Sequence, residues 1–158
     1  MSTILKIIFA FVGVIALVVA VGVTGLSFYL WPTSVGDGAI AVTPQTMEAL
    51  TRLRGERKFV ADQSNLYFGA PNETVRLSAQ RSVDVLLDSL VSELPKNPKR
   101  SMVLAKFKAA MESFSVSESE ERDQFLVYLQ RIMRVLGMPS SGELMNVWRY
   151  GFPYGWFF

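Results

Sequence analysis

The sequence contains no cysteine and no histidine. These two absences remove thiol nucleophiles, disulfides, zinc-finger ligand sets and imidazole general bases together. Serine-based hydrolysis would need another base, and no Ser-x-x-Lys occurs anywhere in the chain, so a Ser–Lys dyad has no motif to occupy. A glycine-rich loop of the kind that cradles phosphates is also missing. So is an excess of charge: 16 Lys and Arg stand against 14 Asp and Glu, for a net +2. That near-balance argues against a nucleic-acid binder, which needs a concentrated basic face. Together these absences favour a non-enzymatic protein that holds neither metal nor organic cofactor.

The most informative absence is local. No charged residue occurs from Ile7 to Trp31. As a helix, this run would extend about 37 Å at ~1.5 Å per residue, enough to cross the ~30 Å hydrocarbon core with some tilt. Its Ile, Leu, Val and Phe side chains favour insertion by at most ~5–8 kcal/mol. The rival reading is a cleaved signal peptide, with Ala20-Val21-Gly22 as a cleavage triplet. A signal's apolar region is shorter, about 7–15 residues, and here Leu26 to Trp31 prolong the run. Residues 1–31 are therefore expected to be an uncleaved transmembrane signal-anchor. Lys6 precedes it and the next basic residue is Arg52, so the N-terminus is expected in the cytoplasm and the rest on the far side. In a bacterium this makes a single-pass inner-membrane protein with a periplasmic domain. Tyr29 and Trp31 fall where an interfacial aromatic belt would lie. Ala16, Ala20 and Thr24 recur every four residues, a stripe that permits close helix–helix approach and hence homo-oligomers. An Ala/Gly/Val-rich segment also produces such spacing by chance.

The remainder reads as all-α: a linker over 32–43, then a small four- or five-helix bundle-like domain over 44–158. Thr43-Pro44 pairs an N-cap with proline at N1 and opens a helix to about Arg54, with Met47, Leu50 and Leu53 inward. Residues 56–71 are ambiguous between a short hairpin and a core-covering loop, with Phe59, Val60, Leu66, Tyr67 and Phe68 as its apolar members. Asn72 caps a helix to about Leu94, whose apolar face runs through Val75, Ala79, Val83, Leu86, Leu87, Leu90, Val91 and Leu94. Asn97-Pro98 opens the next, with Val103, Phe107, Ala110, Met111 and Phe114 inward. Ser117-x-x-Glu120 is a capping-box pattern that opens a helix to Leu136, closed by Gly137. Its wide apolar arc marks it as the central helix. Ser140-x-x-Glu143 opens a short last helix through Leu144, Val147 and Trp148, closed by Gly151.

Candidate chemistry is sparse. Asp84 and Asp88 lie at i, i+4, and a carboxylate enzyme would draw on these two or on Glu112. The helical wheel puts both aspartates opposite the apolar face, with Arg81 as the partner of Asp84 on a solvated surface. Glu118, Glu120, Glu121 and Asp123 suit the positive end of a helix dipole. Lys96, Lys99, Arg100, Lys106 and Lys108 form a basic stretch that points in several directions and reads as solubility charge.

The C-terminus is the most unusual feature: Trp148, Tyr150, Phe152, Tyr154, Trp156, Phe157 and Phe158 fall within its last eleven residues. Gly151, Pro153 and Gly155 break a helix there. So many aromatics must be buried somewhere. They either fold back over the core, towards the 59–68 region, or contact a protein partner or the membrane surface.

The run Glu93-Leu-Pro-Lys-Asn-Pro, Phe107, Tyr128-Leu-x-x-Ile132-x-x-x-Leu136-Gly137 and Trp148-x-Tyr150-Gly151-Phe152 resemble an uncharacterised bacterial family of small helical domains. The resemblance spans about Val83 to Gly151 and implies a helical fold without assigned catalytic residues. The expectation is a membrane-anchored interaction module with a protein partner, as in an inhibitor, an immunity protein or an accessory subunit of an envelope complex. The rivals are a small carboxylate-dependent enzyme and a subunit assembled through its transmembrane helix.

Overall fold

A computed structural model describes residues 3–30, 37–116 and 118–151. It is all-helical: α1 (Thr3–Leu30), α2 (Pro44–Gly55), α3 (Glu73–Glu93), α4 (Arg100–Ser113), α5 (Ser119–Val135) and α6 (Leu144–Tyr150). A single 3-10 turn, Gln63–Asn65, interrupts the long α2–α3 connection.

The helix α1 is long and apolar enough to cross a membrane, and its side chains from Thr3 to Tyr29 are all exposed. Among the described residues no other element buries it. At its end the Tyr29 hydroxyl donates to Glu143 Oε1 at 3.1 Å, beside the start of α6.

The helices α2 to α6 enclose one core. The helix α3 packs against α2, α4 and α5, and α5 packs against α2, α3 and α6. Two helices thus share the centre, where the apolar arc suggested α5 alone. The predicted faces hold. Leu50 and Leu53 of α2 are buried, as are Ala79, Val83, Leu86, Leu87 and Leu90 of α3. Val103, Phe107, Ala110 and Met111 of α4 and Phe125, Tyr128, Leu129, Ile132 and Met133 of α5 complete the interior. An aromatic chain runs through it: Phe59 to Tyr128 at 5.2 Å between ring centroids, Phe114 to Phe125 at 4.4 Å, and Phe125 to Trp148 at 5.7 Å.

The caps divide into two groups. Thr43 Oγ1 accepts from Thr46 N at 3.1 Å and Asn72 Oδ1 from Val75 N at 2.9 Å, where the sequence placed them. Gly137, at φ +64, lets Met138 N reach Met133 O at 2.9 Å and closes α5. At α4 the expected Asn97-Pro98 start gives way to a turn, with Asn97 N on Glu93 O at 2.9 Å, and the helix begins at Arg100. Its free N–H groups are met from far along the chain: Arg100 N donates to Gly38 O at 3.0 Å and Ser101 N to Asp37 Oδ1 at 3.1 Å. Ile40, buried, donates its N–H to Pro98 O at 2.8 Å. The second half of the linker is therefore part of the domain wall. Ser117 lies outside the described residues, and the residue capping α5, Glu118, makes no side-chain capping bond. Ser140 does not cap α6; its hydroxyl accepts from Gly142 N at 2.9 Å, and the helix starts at Leu144.

Candidate functional site

The segment from Glu56 to Pro71 is a structured loop. Its inner side carries more buried polar chemistry than any other part of the described chain. Lys58 is fully buried, and Nζ donates to Asp84 Oδ1 at 2.7 Å and to the carbonyls of Arg54 and Glu56 at 3.0 Å each. Those three acceptors use all three ammonium protons. Asp84 Oδ2 takes Gln80 Nε2 at 3.2 Å and Arg54 Nη1 at 3.2 Å. Gln80 Oε1 accepts Lys58 N at 3.1 Å, and Arg76 Nη1 donates to Lys58 O at 3.1 Å. The network leaves no buried side-chain nitrogen or oxygen without a partner among the described residues.

Asp84 is therefore buried and paired with Lys58 and Arg54, not solvated and paired with Arg81. The helical wheel failed here because the loop folds over that side of α3. Arg54 also holds Asp88, Nε to Oδ1, at 2.8 Å. Glu112 faces Lys108 at 3.9 Å on α4, away from both aspartates in the sequence and in its partner. Among the described residues no group of three carboxylates converges as a metal site would require.

Further along, the loop alternates. Phe59 enters the core at φ +57, with its N–H on Tyr128 Oη at 3.1 Å. Tyr67 also turns in and donates its hydroxyl to buried Glu121 at 3.1 Å. Burial, and then Glu121 itself, push the Tyr67 phenol well above its ordinary range. Glu121, in the first turn of α5 as the dipole reading has it, thus also serves an internal bond. Between these two anchors Asp62 pins the turn. It accepts Ser64 N at 3.0 Å, Ser64 Oγ at 2.6 Å and Asn65 Nδ2 at 2.7 Å, while its backbone pairs with Tyr67 on both sides. Those hydrogen bonds hold the Asp62 carboxyl below its usual value. Glu56 ties the base of the loop to α5 through Arg131 Nη2, at 3.0 and 2.8 Å. At the exit Gly69, at φ +95, brings the two sides of the loop so close that a Cβ would lie 3.0 Å from Ala61 N.

What this clamp displays outward is apolar. Leu66 is 85 % exposed and Phe68 86 %, one on each side of buried Tyr67. Leu66 moreover sits at φ +54, a conformation that costs a non-glycine residue roughly 1–2 kcal/mol. Neither residue is explained by the core. Sequence reasoning grouped them with Phe59 and Tyr67 as one apolar set. The alternation of Leu66, Tyr67 and Phe68 is a two-sided pattern, but it says nothing about which side faces in.

The residues singled out from the sequence are scattered. Trp148 packs on Phe114 and Phe125, its Nε1 donates to Met111 O at 2.9 Å, and the Arg122 guanidinium lies 4.5 Å from its ring centre. Tyr150 is exposed, against Arg149. Phe152, Tyr154, Trp156, Phe157 and Phe158 lie outside the described residues. Ala16, Ala20 and Thr24 line α1, all exposed. Four of the five basic side chains in the stretch have separate partners: Lys99 with Asp37 at 3.1 Å, Lys106 with Glu93, Lys108 with Glu112 at 3.9 Å, and Arg100 Nη2 with Ser140 O at 3.2 Å. A concavity of about 540 Å³ lies between α3 and α4 and is lined by serines with Arg81, Val85 and Lys106. A smaller one, about 260 Å³, lies beside the loop, between Leu66 and the first turns of α5.

No curated protein and no solved structure matches the chain. A family match does exist, and it reaches well N-terminal of the Val83–Gly151 stretch that first suggested one. It takes in α2, the clamped loop and every helix up to α6. Residues 41–153 match the family described as "Domain of unknown function (DUF4844)", and the chain belongs to that family.

Proposed function

We propose that this protein is a membrane-tethered, non-enzymatic binding module, whose α1 crosses the membrane and whose Glu56–Pro71 loop presents Leu66 and Phe68 to a protein partner. The observation that carries the reading is the combination of two large exposed apolar side chains with a loop clamped from behind by Asp62, Lys58 and Tyr67. Burying both side chains on a partner would be worth roughly 3–6 kcal/mol, from ~1.5–3 kcal/mol each. A loop already held in shape loses little entropy on binding. A few central apolar anchors often dominate an interface. The carboxylates that an enzyme would use speak for the same reading, since Asp84 and Asp88 are bound to cations. The positive charge of Lys6, in the first turn of α1 and just before its charge-free run, with no further basic residue until Arg52, supports a cytoplasmic N-terminus and a periplasmic domain in a bacterial inner membrane. Tethering raises the effective concentration near partners in the same envelope. An inhibitor, an immunity protein or an accessory subunit of an envelope complex would use such a device.

A photo-crosslinking residue at position 68, in the full chain in its native membrane, tests this. Val85, 60 % exposed on α3, is the control position. The expected result is a discrete adduct to a second protein from position 68, lost with Leu66→Ser and absent from position 85. No adduct from 68, or the same adducts from both positions, would reject the reading.

A further inference from the structure

The groove of about 540 Å³ between α3 and α4 is unused by the core and by the loop. Its size is that of a small-molecule site. The two helices are joined by a short connection and run antiparallel, and Lys106 of α4 holds Glu93 at the end of α3. Ser113 and Ser115 therefore lie across from Ser78 and Arg81 at one end of the groove, and Lys106 lies across from Ser89 at the other. The middle is apolar: Val85 and Ala109 are exposed, and Leu86 and Ala110 are buried beneath the surface. Serine and alanine on the facing sides keep the groove open, where longer side chains would interdigitate and close it.

Its electrostatics are one-sided. No carboxylate lines it among the described residues. Lys106 is offset by Glu93, but Arg81 is exposed and bonded to no other described residue. Asp84, three residues on, spends its oxygens on Lys58, Arg54 and Gln80. The hydroxyls of Ser82, Ser89 and Ser113 donate to carbonyls of their own helices, at 3.4, 2.8 and 3.0 Å. Those of Ser78 and Ser115, at the Arg81 end, have no such partner among the described residues. Free donors thus gather at one end of an apolar trough.

We propose that this groove binds a single-chain aliphatic carboxylate, its head on Arg81, Ser78 and Ser115 and its chain along Val85 and Ala109 towards Ser89. Charge selects the head: one uncompensated cation matches a monoanion, and a phosphate dianion would leave a negative charge over. The planar guanidinium takes both carboxylate oxygens at once. Length selects the chain. From Arg81 to Ser89 is about 12 Å at ~1.5 Å per residue, the extended length of decanoate. Each methylene covered by the trough adds up to roughly fourfold in affinity. The groove shares no residue with the Leu66–Phe68 loop, so the site stands or falls independently of a protein partner there.

Decanoate with a diazirine at its chain end, photolysed with the full chain in phosphatidylcholine nanodiscs, tests the site. Peptide mass spectrometry should find adducts on the facing sides of α3 and α4. Unlabelled decanoate should compete. Decanol, which lacks the charge, and butanoate, which lacks the chain, should compete at least roughly tenfold less well. Arg81→Gln breaks no bond between described residues and should weaken labelling by roughly tenfold, the worth of one charge-assisted pair. Arg134→Gln, at an exposed cation on α5, should leave it unchanged. Ala109→Phe, at an exposed position, should fill the trough and abolish it. Adducts confined to α1 would show mere partition into the bilayer and overturn the proposal. So would decanol competing as well as decanoate, labelling unchanged in Arg81→Gln, or an equal loss in Arg134→Gln. Decyl phosphate competing better than decanoate would overturn the choice of head.

Discussion

Replacing Lys58 with methionine probes the buried pair on which the loop is built. The lysine ammonium has no contact with solvent and is held by Asp84 Oδ1 at 2.7 Å and by two carbonyls at 3.0 Å. Methionine fills a similar volume but donates nothing. Asp84 then keeps only Arg54 and Gln80, and the carbonyls of Arg54 and Glu56 lose their donor. Removing one partner of a buried pair costs about 3–5 kcal/mol, because the other is left desolvated. Against a total of ~5–15 kcal/mol for a domain of this kind, that is a large fraction. The double change Lys58→Met with Asp84→Leu should recover most of the loss, since an apolar pair needs no compensation. Arg54 would retain Asp88. Urea unfolding of the full chain in nonionic detergent, followed by far-UV circular dichroism, measures both variants. Native-state hydrogen exchange should also show faster exchange at Phe59 and Tyr67, whose N–H groups lie in the loop that the lysine holds down. A loss below about 1 kcal/mol in Lys58→Met, the range of an ordinary surface substitution, would refute the reasoning. So would a double variant less stable than the single.

Three further outcomes are expected. Gly69→Ala meets both φ +95 and a 3.0 Å contact with Ala61 N, so it should destabilise by more than the ~0.4–1 kcal/mol that a strain-free glycine-to-alanine change gains; urea unfolding midpoints check it, and an unchanged midpoint counts against the geometry. The Asp37 carboxyl is held at about 2 by the hydroxyl and N–H of Ser101 and then by Lys99. A carboxyl lowered on folding stabilises above its ordinary pKa and ceases to do so as pH falls through the folded value. The thermal-midpoint gap between wild type and Asp37→Asn should therefore be full at neutral pH and close between about pH 4 and pH 2; a gap constant into acid would contradict the assignment. Finally, a reporter active only in the cytoplasm, fused after Phe158, should be silent in a bacterial host, and activity there would reverse the proposed orientation.

The features legible in the sequence are those set by neighbours along the chain. The run without charge that starts at Ile7 marks a long apolar helix whatever else folds, and α1 is long and apolar enough to cross a membrane. Thr43, Asn72, Gly137 and Gly151 act through bonds or dihedrals a few residues away, so each lies where its local pattern places it. Apolar residues at helical spacing mark the core faces of α3, α4 and α5, because only one side of a helix can turn inward. Tertiary structure decided the rest. Helical periodicity places Asp84 on the outer side of α3, and nothing local predicts that Lys58, 26 residues earlier, will fold over it. The N-terminus of α4 is met by Asp37, 64 residues away, so its cap is invisible in any short window. Leu66, Tyr67 and Phe68 are consecutive and all apolar, and their composition gives no reason to separate them. The Tyr67–Glu121 bond and the Asp62 clamp separate them, turning the tyrosine inward and leaving the other two bare. The candidate site exists only because long-range hydrogen bonds fix a loop whose own sequence allows several shapes.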